Sequence, residues 1–125
     1  MKALEVLEAA KELLSSEDKW TQGALARDKN KEKVSEISPE ADCWCLSGAL
    51  HRVCYRSPFI DIPWAVANSR AAALEVLYEY TTPAISELAG YDREFFTAVS
   101  INDHNDINYS DIIAWIDHAI RSITK

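Results

Sequence analysis

The sequence predicts a mainly α fold, a compact bundle of four to five helices with at most a small β element. Three observations lead to this prediction. Apolar residues recur at helical spacing in the first and last segments, capping residues and prolines separate the segments between them, and the chain has only 3 Gly and 4 Pro. With 125 residues, of which 48% are hydrophobic, the chain suits one globular domain, residues 1–125.

The first segment is predicted to form an amphipathic helix from about Lys2 to Ser15. Its apolar residues recur every three or four positions, and its glutamates lie between them. We expect the glutamate face of this helix to be simply solvated. Residues Arg27–Glu40 are polar and lack periodicity, which predicts an exposed loop with a short strand near Val34 to Ile37.

The central segment indicates a helix that starts with Asp42 as its N-cap and ends at Ser57-Pro58. A third helix is expected from Asp61 or Pro63 to Thr82-Pro83. A short helix, residues 84–90, should follow and end at a glycine, and residues 94–101 fit either a strand or a buried helix.

The last helix has the clearest pattern. Asn108 and Asp111 stand at the spacing of a capping box. A continuous apolar stripe follows and should be buried: Ile112, Ile116, Ala119, Ile120 and Ile123.

A second face of this helix carries Asp111, Trp115 and His118. An aromatic ring beside ionisable groups is common at protein interfaces, which makes Trp115 and His118 candidates for a contact surface. Burial of Trp115 under the first helix is the alternative.

The charge of the chain limits its partners. The formal net charge is −7 and the isoelectric point is about 4.9. Such a surface opposes direct binding of nucleic acid or an anionic membrane and favours a protein partner, particularly a basic one. A small-molecule ligand and a homo-oligomer both remain open.

The N-terminal segment has glutamates among its apolar residues, so it does not resemble a signal peptide, and no apolar run approaches the roughly 20 residues that cross a bilayer. We therefore expect a cytoplasmic protein. Its three cysteines should then be reduced.

The cysteines permit one enzymatic hypothesis. If Asp42 caps the central helix, Cys43 and Cys45 lie in its first turn, where the helix dipole lowers a thiol pKa. His104 would then serve as the base, and Asp103 or Asp106 as the orienting group, in a small hydrolase or transferase. The alternative, which we favour, is that Cys45 is buried and, with Gly48 and Ala49, forms a narrow helix face on which another helix can lie close.

The sequence predicts neither a metal nor a cofactor. Cys43 and Cys54 would be about 16 Å apart on one helix, and His51 with Cys54 supplies only two ligands. The acidic loop Asn102–Asp111 lacks the glycine and the glutamate that shape an EF-hand.

A binding hypothesis rests on aromatic and polar residues near the ends of the predicted helices. If the fold brings them to one end of the bundle, they form a pocket for a small ligand or peptide: Trp20, Asp28, Trp44, Asn102 and Asp103. Packing of the tryptophans in the core is the alternative.

Several of these residues belong to motifs that resemble those of a protein family. W-x-x-G-x-x-A-x-D begins at Trp20, W-C-L-x-G-A-L begins at Trp44, and the pair Asn102-Asp103 precedes a terminal helix with D-x-A-I. In order and spacing these motifs resemble a family of small uncharacterised bacterial and phage proteins. That resemblance implies a common fold and a shared site, but no reaction. Ile101 stands where that family usually has a tryptophan.

Together these observations favour a non-enzymatic intracellular binding module, such as a phage or bacterial accessory protein that modulates a host protein. The cysteine-dependent enzyme is the alternative.

Overall fold

The structure, a computed structural model, describes residues 2–55, 63–91 and 97–124. These residues are mainly helical, as predicted, and none of their helices is long and apolar enough to span a membrane. The described chain contains six α-helices and one short 3-10 helix, Glu17–Lys19. The α-helices are α1 (Ala3–Leu13), α2 (Leu46–Tyr55), α3 (Pro63–Glu79), α4 (Pro83–Tyr91), α5 (Ala98–Asn102) and α6 (Tyr109–Ile123).

Helix α1 lies at the centre of the packing, because it contacts α2, α3 and α6. Its buried side consists of Val6, Leu7 and Ala10, and Leu14 continues that side past the end of the helix. Burying a side chain such as Val or Leu contributes about 1.5–3 kcal/mol. The predicted amphipathic helix is confirmed.

The start of α6 is also confirmed. The Asn108 side chain accepts the backbone N–H of Asp111 at 3.0 Å, and the Asp111 carboxylate accepts the backbone N–H of Asn108 at 3.1 Å. Two otherwise unpaired donors are thereby satisfied at the helix N-terminus.

The apolar stripe of α6 is buried only in part. Ile112, Ile116 and Ala119 are fully buried, whereas Ile120 and Ile123 are only half-buried. The prediction of a continuous buried stripe is therefore wrong at its C-terminal end, where neighbouring helices do not cover it completely.

A small three-stranded sheet lies between α1 and α2 in the sequence. Its strands are β1 (Ala26–Arg27), β2 (Lys33–Val34) and β3 (Cys43–Trp44), and β1 pairs antiparallel with both neighbours. The strand predicted at Val34 to Ile37 thus starts one residue earlier and is shorter. A turn follows it, in which the Ser38 N–H donates to the Ser35 carbonyl.

The sheet overturns the predicted start of the central helix. Asp42 donates its backbone N–H to the Arg27 carbonyl at 2.8 Å, and Cys43 and Trp44 continue this pairing as β3. Helix α2 therefore begins at Leu46, and Asp42 is not its N-cap. Pairing with β1 outweighs the local capping signal, which contains no information about a distant strand.

The remaining boundaries agree with the prediction to within a few residues. Helix α3 starts at Pro63 as predicted and ends at Glu79. Helix α4 continues through Gly90, the predicted end, to Tyr91. Of the segment 94–101, the described residues from 98 onward are helical, whereas 94–96 and the predicted Ser57-Pro58 and Asp61 boundaries lie outside the described residues.

Candidate functional site

Asn102 is the polar centre of one end of the molecule. Its side-chain oxygen accepts the indole N–H of Trp20 at 2.6 Å and the backbone N–H of Leu46 at 3.0 Å. Its side-chain nitrogen donates to the Thr21 carbonyl and to the Asp103 carboxylate, each at 3.0 Å. An asparagine amide has two donors and one oxygen with two lone pairs, so this buried group is fully used by the fold.

The loop after the 3-10 helix is attached to the same centre. Gly23 has a positive φ of 79° and donates its backbone N–H to the Asp103 carboxylate at 2.9 Å. The Gln22 amide donates to the carbonyls of Asn102 at 2.8 Å and His104 at 3.2 Å. Glycine readily adopts the left-handed backbone conformation that the hydrogen bond from Gly23 requires.

Gly48 lets the same loop pass directly over α2. A Cβ atom at Gly48 would lie only 2.1 Å from the carbonyl oxygen of Leu25. That carbonyl accepts the Cys45 backbone N–H at 3.2 Å. The sequence predicted a narrow face of small residues here, and the structure confirms the narrow face, but its neighbour is loop backbone and not another helix. We call Trp20, Gly23, Cys45, Gly48, Asn102 and Asp103 the Asn102 joint.

Cys45 has a structural role within this joint. Its sulfur accepts the backbone N–H of Gly48 at 3.3 Å, in the position of an N-cap side chain for α2. Only 2% of the residue is exposed, and this burial raises the pKa of the Cys45 thiol, with a further contribution from the negative charge of Asp103. Burial outweighs the helix N-terminus, so the thiol is held protonated near neutral pH. The predicted burial of Cys45 is confirmed.

The other members of the cysteine hypothesis are dispersed. Cys43 is buried in β3 and donates its S–H to the Arg27 carbonyl at 3.8 Å. The His104 ring nitrogen Nδ1 accepts the backbone N–H of Asp106 at 3.1 Å, within its own loop. No hydrogen bond connects His104 to a thiol within residues 2–55, 63–91 and 97–124. The structure thus places Asp103 near Cys45, but not the proposed base.

Trp44 lies beside the joint and holds the loop before it in place. Its backbone pairs with that of Trp20 in an isolated β-bridge, and its indole N–H donates to the Glu36 carbonyl at 3.0 Å. The Arg52 guanidinium lies 5.6 Å from the centre of the Trp44 ring and donates to the Glu36 and Ser38 carbonyls at 3.1 and 2.8 Å. His51 adds a 2.6 Å contact to the Glu36 carboxylate. These contacts fasten the 36–38 segment to α2.

Asp28 does not join the other predicted site residues. Its carboxylate accepts the backbone N–H groups of Asn30 at 2.9 Å and Glu32 at 3.0 Å, which closes the turn between β1 and β2. The predicted convergence therefore holds for Trp20, Trp44, Asn102 and Asp103, but their polar atoms bond mainly to one another and to backbone.

The predicted contact surface on α6 is wrong for its aromatic member. Trp115 is fully buried, and its indole N–H donates to the Leu77 carbonyl of α3 at 2.8 Å. Burial beneath α3 is favourable because that bond satisfies the one polar atom of the ring. His118 is exposed and stands without its predicted aromatic neighbour.

No metal site is apparent in the described part of the chain, where no three side chains of His, Cys, Asp or Glu form a group that could hold an ion. In the acidic loop, Asn108 is used as the cap of α6 and Asp103 as the acceptor for Gly23.

A groove between α1 and α6 is the feature that the sequence analysis missed. Its volume is about 430 Å³, and it has an apolar floor and charged edges. The residues that line it are Glu8, Lys11, Glu12, Leu14, Ser15, Tyr109, Ile113 and Ile120. We call it the α1–α6 groove. One signal was present in the sequence: Ile113 widens the isoleucine stripe beyond what a single neighbouring helix covers.

Some charged residues along this groove form ion pairs, and others do not. Lys11 lies 2.7 Å from the Asp117 carboxylate, which also contacts Arg121 at 2.8 Å. The hydrogen bond from Lys11 is the main cause that lowers the pKa of Asp117. Glu8 and Glu12 are exposed, and within the described residues they form no ion pair. Glu8 and Glu12 are therefore the carboxylates at this edge that no ion pair of the described chain neutralises.

The end of the groove near Tyr109 is also acidic. The Tyr109 hydroxyl donates to the Leu14 carbonyl. Burial raises the pKa of the Tyr109 hydroxyl, and the negative charges of Glu17 and Asp18 raise it further. Both acidic residues are exposed. Exposed acidic residues thus lie along α1 at the groove and in the 3-10 helix that follows α1.

Comparison with known proteins identifies a family. Residues 1–122 match the model of DUF6197, a family of unknown function, and the chain belongs to this family. No curated protein matches the sequence, and no solved structure does.

Proposed function

We propose that this member of the DUF6197 family is a non-enzymatic protein-binding module whose binding surface is the α1–α6 groove. The W-x-x-G-x-x-A-x-D and W-C-L-x-G-A-L motifs resemble those of small bacterial and phage proteins. This resemblance suggests an accessory protein that acts on a host protein in the cytoplasm. The binding role is the main claim, and the cellular setting is secondary to it.

The observation that carries the proposal is the incomplete burial of the isoleucine stripe. Ile113 and Ile120 lie in the floor of the groove and are half-buried, although their neighbours Ile112 and Ile116 are fully buried. Covering apolar surface contributes roughly 25 cal/mol per Å². An apolar centre with a polar rim is the composition of a protein interface.

The state of the cysteines favours binding over thiol catalysis. A catalytic cysteine needs an accessible thiolate and a base within hydrogen-bond reach. Cys45 is buried with a raised thiol pKa, and its sulfur already caps α2. The cysteine-dependent hydrolase or transferase is therefore the less favoured candidate.

The proposal is tested by affinity capture from a bacterial lysate with wild-type protein, Ile113→Asp and Val99→Asp. Both substitutions put a carboxylate on a partly exposed apolar residue, but Val99 lies on α5 and does not line the groove. We expect a specific partner that Ile113→Asp loses and Val99→Asp retains. Ser15→Tyr, which adds bulk at an exposed lining position, should also lose it.

Circular dichroism and melting temperature must show that the variants remain folded. A partner that binds Ile113→Asp and Ser15→Tyr as well as wild type would contradict the groove as the binding surface. Turnover of a metabolite that depends on Cys45 would contradict the non-enzymatic function.

A further inference from the structure

We infer that the α1–α6 groove receives an amphipathic helix from another protein, with lysine or arginine residues beside its apolar face. This inference rests on the proposed function and names the chemistry of the partner.

The shape of the groove fits a helix. Its walls are two helices, α1 and α6, and its floor presents the half-buried side chains of Ile113 and Ile120. Ile113 and Ile120 are seven positions apart on α6, which corresponds to about 10.5 Å along the helix axis. A bound helix that carries apolar residues at i, i+3 or i+4, and i+7 has the same repeat along its own apolar face.

The charge at the edge selects a basic helix. Glu8 and Glu12 stand one helical turn apart on α1, both exposed and both lining the groove. Lys11 is the one cation in the lining, and it is paired with Asp117, whose carboxylate it shares with Arg121. Lysine or arginine beside the apolar face of a partner helix would therefore meet uncompensated carboxylates.

The same charges disfavour the other occupants. A second copy of this chain would bring another net charge of −7 against these glutamates. Juxtaposed like charges cost free energy on association, and nucleic acid or an anionic membrane meets the same repulsion. A small ligand could fill about 430 Å³, but it would not need the flanking carboxylates.

The test uses two synthetic amphipathic peptides of about 18 residues with the same leucine face. One carries lysine and arginine on its polar face, and the other carries glutamate. Fluorescence anisotropy measures their binding to wild-type protein, to Glu8→Lys/Glu12→Lys and to Glu75→Lys/Glu79→Lys. The second double variant is the matched control, because Glu75 and Glu79 are also exposed glutamates one turn apart, but on α3 and outside the groove lining.

We expect the basic peptide to bind wild type and the Glu75→Lys/Glu79→Lys control alike, and Glu8→Lys/Glu12→Lys about tenfold more weakly. Raising the salt concentration from about 50 to about 500 mM should reduce the difference, since salt screens exposed charges. The acidic peptide should bind wild type at least tenfold more weakly than the basic one.

Three results would overturn the inference. Equal binding of the acidic peptide would remove the charge argument. Equal weakening by both double variants would show only an effect of net charge. Weakening by Ile113→Asp but not by Glu8→Lys/Glu12→Lys would leave the groove as a binding surface with a partner that is not basic, so that the proposed function survives while this inference fails.

Discussion

The Asn102 joint and the α1–α6 groove lie in one small molecule and treat their polar groups in opposite ways. In the joint, the Asn102 amide and the Trp20 indole have their hydrogen-bond capacity used within the fold. In the groove, the side chains of Glu8 and Glu12 are exposed to solvent beside half-buried isoleucines. The joint is a closed structural element, whereas the groove is the surface that we propose a partner covers.

This difference teaches that chemically rich residues are not by themselves a functional site. The tryptophans, cysteines and Asn-Asp pair attract attention in the sequence, yet the fold uses them to fasten a loop and a sheet to α2. The glutamates of α1 look like an ordinary solvated face. They become candidates for a binding surface only because Ile113 and Ile120 of α6 line the same groove.

The largest expected effect is in the joint, for Gly48→Ala. The added Cβ would meet the Leu25 carbonyl oxygen at 2.1 Å, so the loop or α2 must move. We expect a loss of at least about 3 kcal/mol in the free energy of unfolding, measured by urea denaturation.

Gly23→Ala is the comparison for this prediction. It places a side chain at a φ of 79° with only a 3.3 Å contact to the Arg27 side chain, so strain of about 1–2 kcal/mol is expected. If Gly48→Ala lowers the free energy of unfolding by no more than Gly23→Ala does, the loop does not pass closely over α2.

Asn102→Ala should have the next largest effect. It leaves the Trp20 indole N–H and the buried Leu46 N–H without their acceptor, which costs about 2–3 kcal/mol. Asn108→Ala removes a solvent-exposed helix cap and should cost about 1 kcal/mol. Thermal or urea unfolding of the two variants compares them, and equal losses would contradict the central position of Asn102.

The hydrogen bonds of Asn102 also show where sequence reasoning ends. Local signals were sufficient for α1 and for the Asn108-Asp111 cap of α6, because those elements depend on neighbours in the sequence. The Trp20 and Asn102 side chains are 82 positions apart, and no spacing rule connects them. The predicted convergence of Trp20 and Asn102 is confirmed, but the sequence did not indicate that their polar atoms would bond to each other.

The wrong start of α2 has a similar physical cause. Asp42 is a good N-cap by residue type, but its N–H is needed by Arg27 of β1. The actual cap is the sulfur of Cys45, a residue that is rarely considered for that position. Likewise, the half-burial of Ile120 depends on which neighbouring elements cover that face of α6, which periodicity does not report.

A pH dependence of stability is expected from Cys45. Burial raises its thiol pKa above the ordinary 9.0, so folding favours the protonated form. The stability that this contributes is present below pH 9.0 and is lost as the pH rises through the folded-state pKa. The free energy of unfolding should therefore fall above pH 9.0, and Cys45→Ala should make this fall shallower.

The Cys45→Ala variant should itself cost only about 1 kcal/mol at neutral pH, because the side chain is small. Unfolding is followed by circular dichroism in urea from about pH 7 to about pH 10. An unchanged alkaline slope in Cys45→Ala would contradict the buried, protonated thiol.

The smallest stability effect belongs to the edge of the groove. Asp117→Asn removes a partly exposed partner of Lys11 and Arg121 and should cost about 0.5 kcal/mol, less at high salt. Since the pKa of Asp117 is lowered from 3.8, its contribution is present above pH 3.8 and is lost as the pH falls through the folded-state value. Asp106→Asn, at a largely exposed carboxylate, is the control and should change nothing measurable.

The most direct test of the contrast between joint and groove is a ¹⁵N NMR titration of the intact protein with the basic amphipathic peptide. We predict that amide shifts concentrate at Glu8, Glu12, Ser15, Ile113 and Ile120, while the amides of Gly23 and Leu46 in and beside the joint stay nearly unchanged. Shifts centred on Gly23, Asp103 and Leu46, with the groove amides unmoved, would show that the joint is the binding surface and would contradict the account.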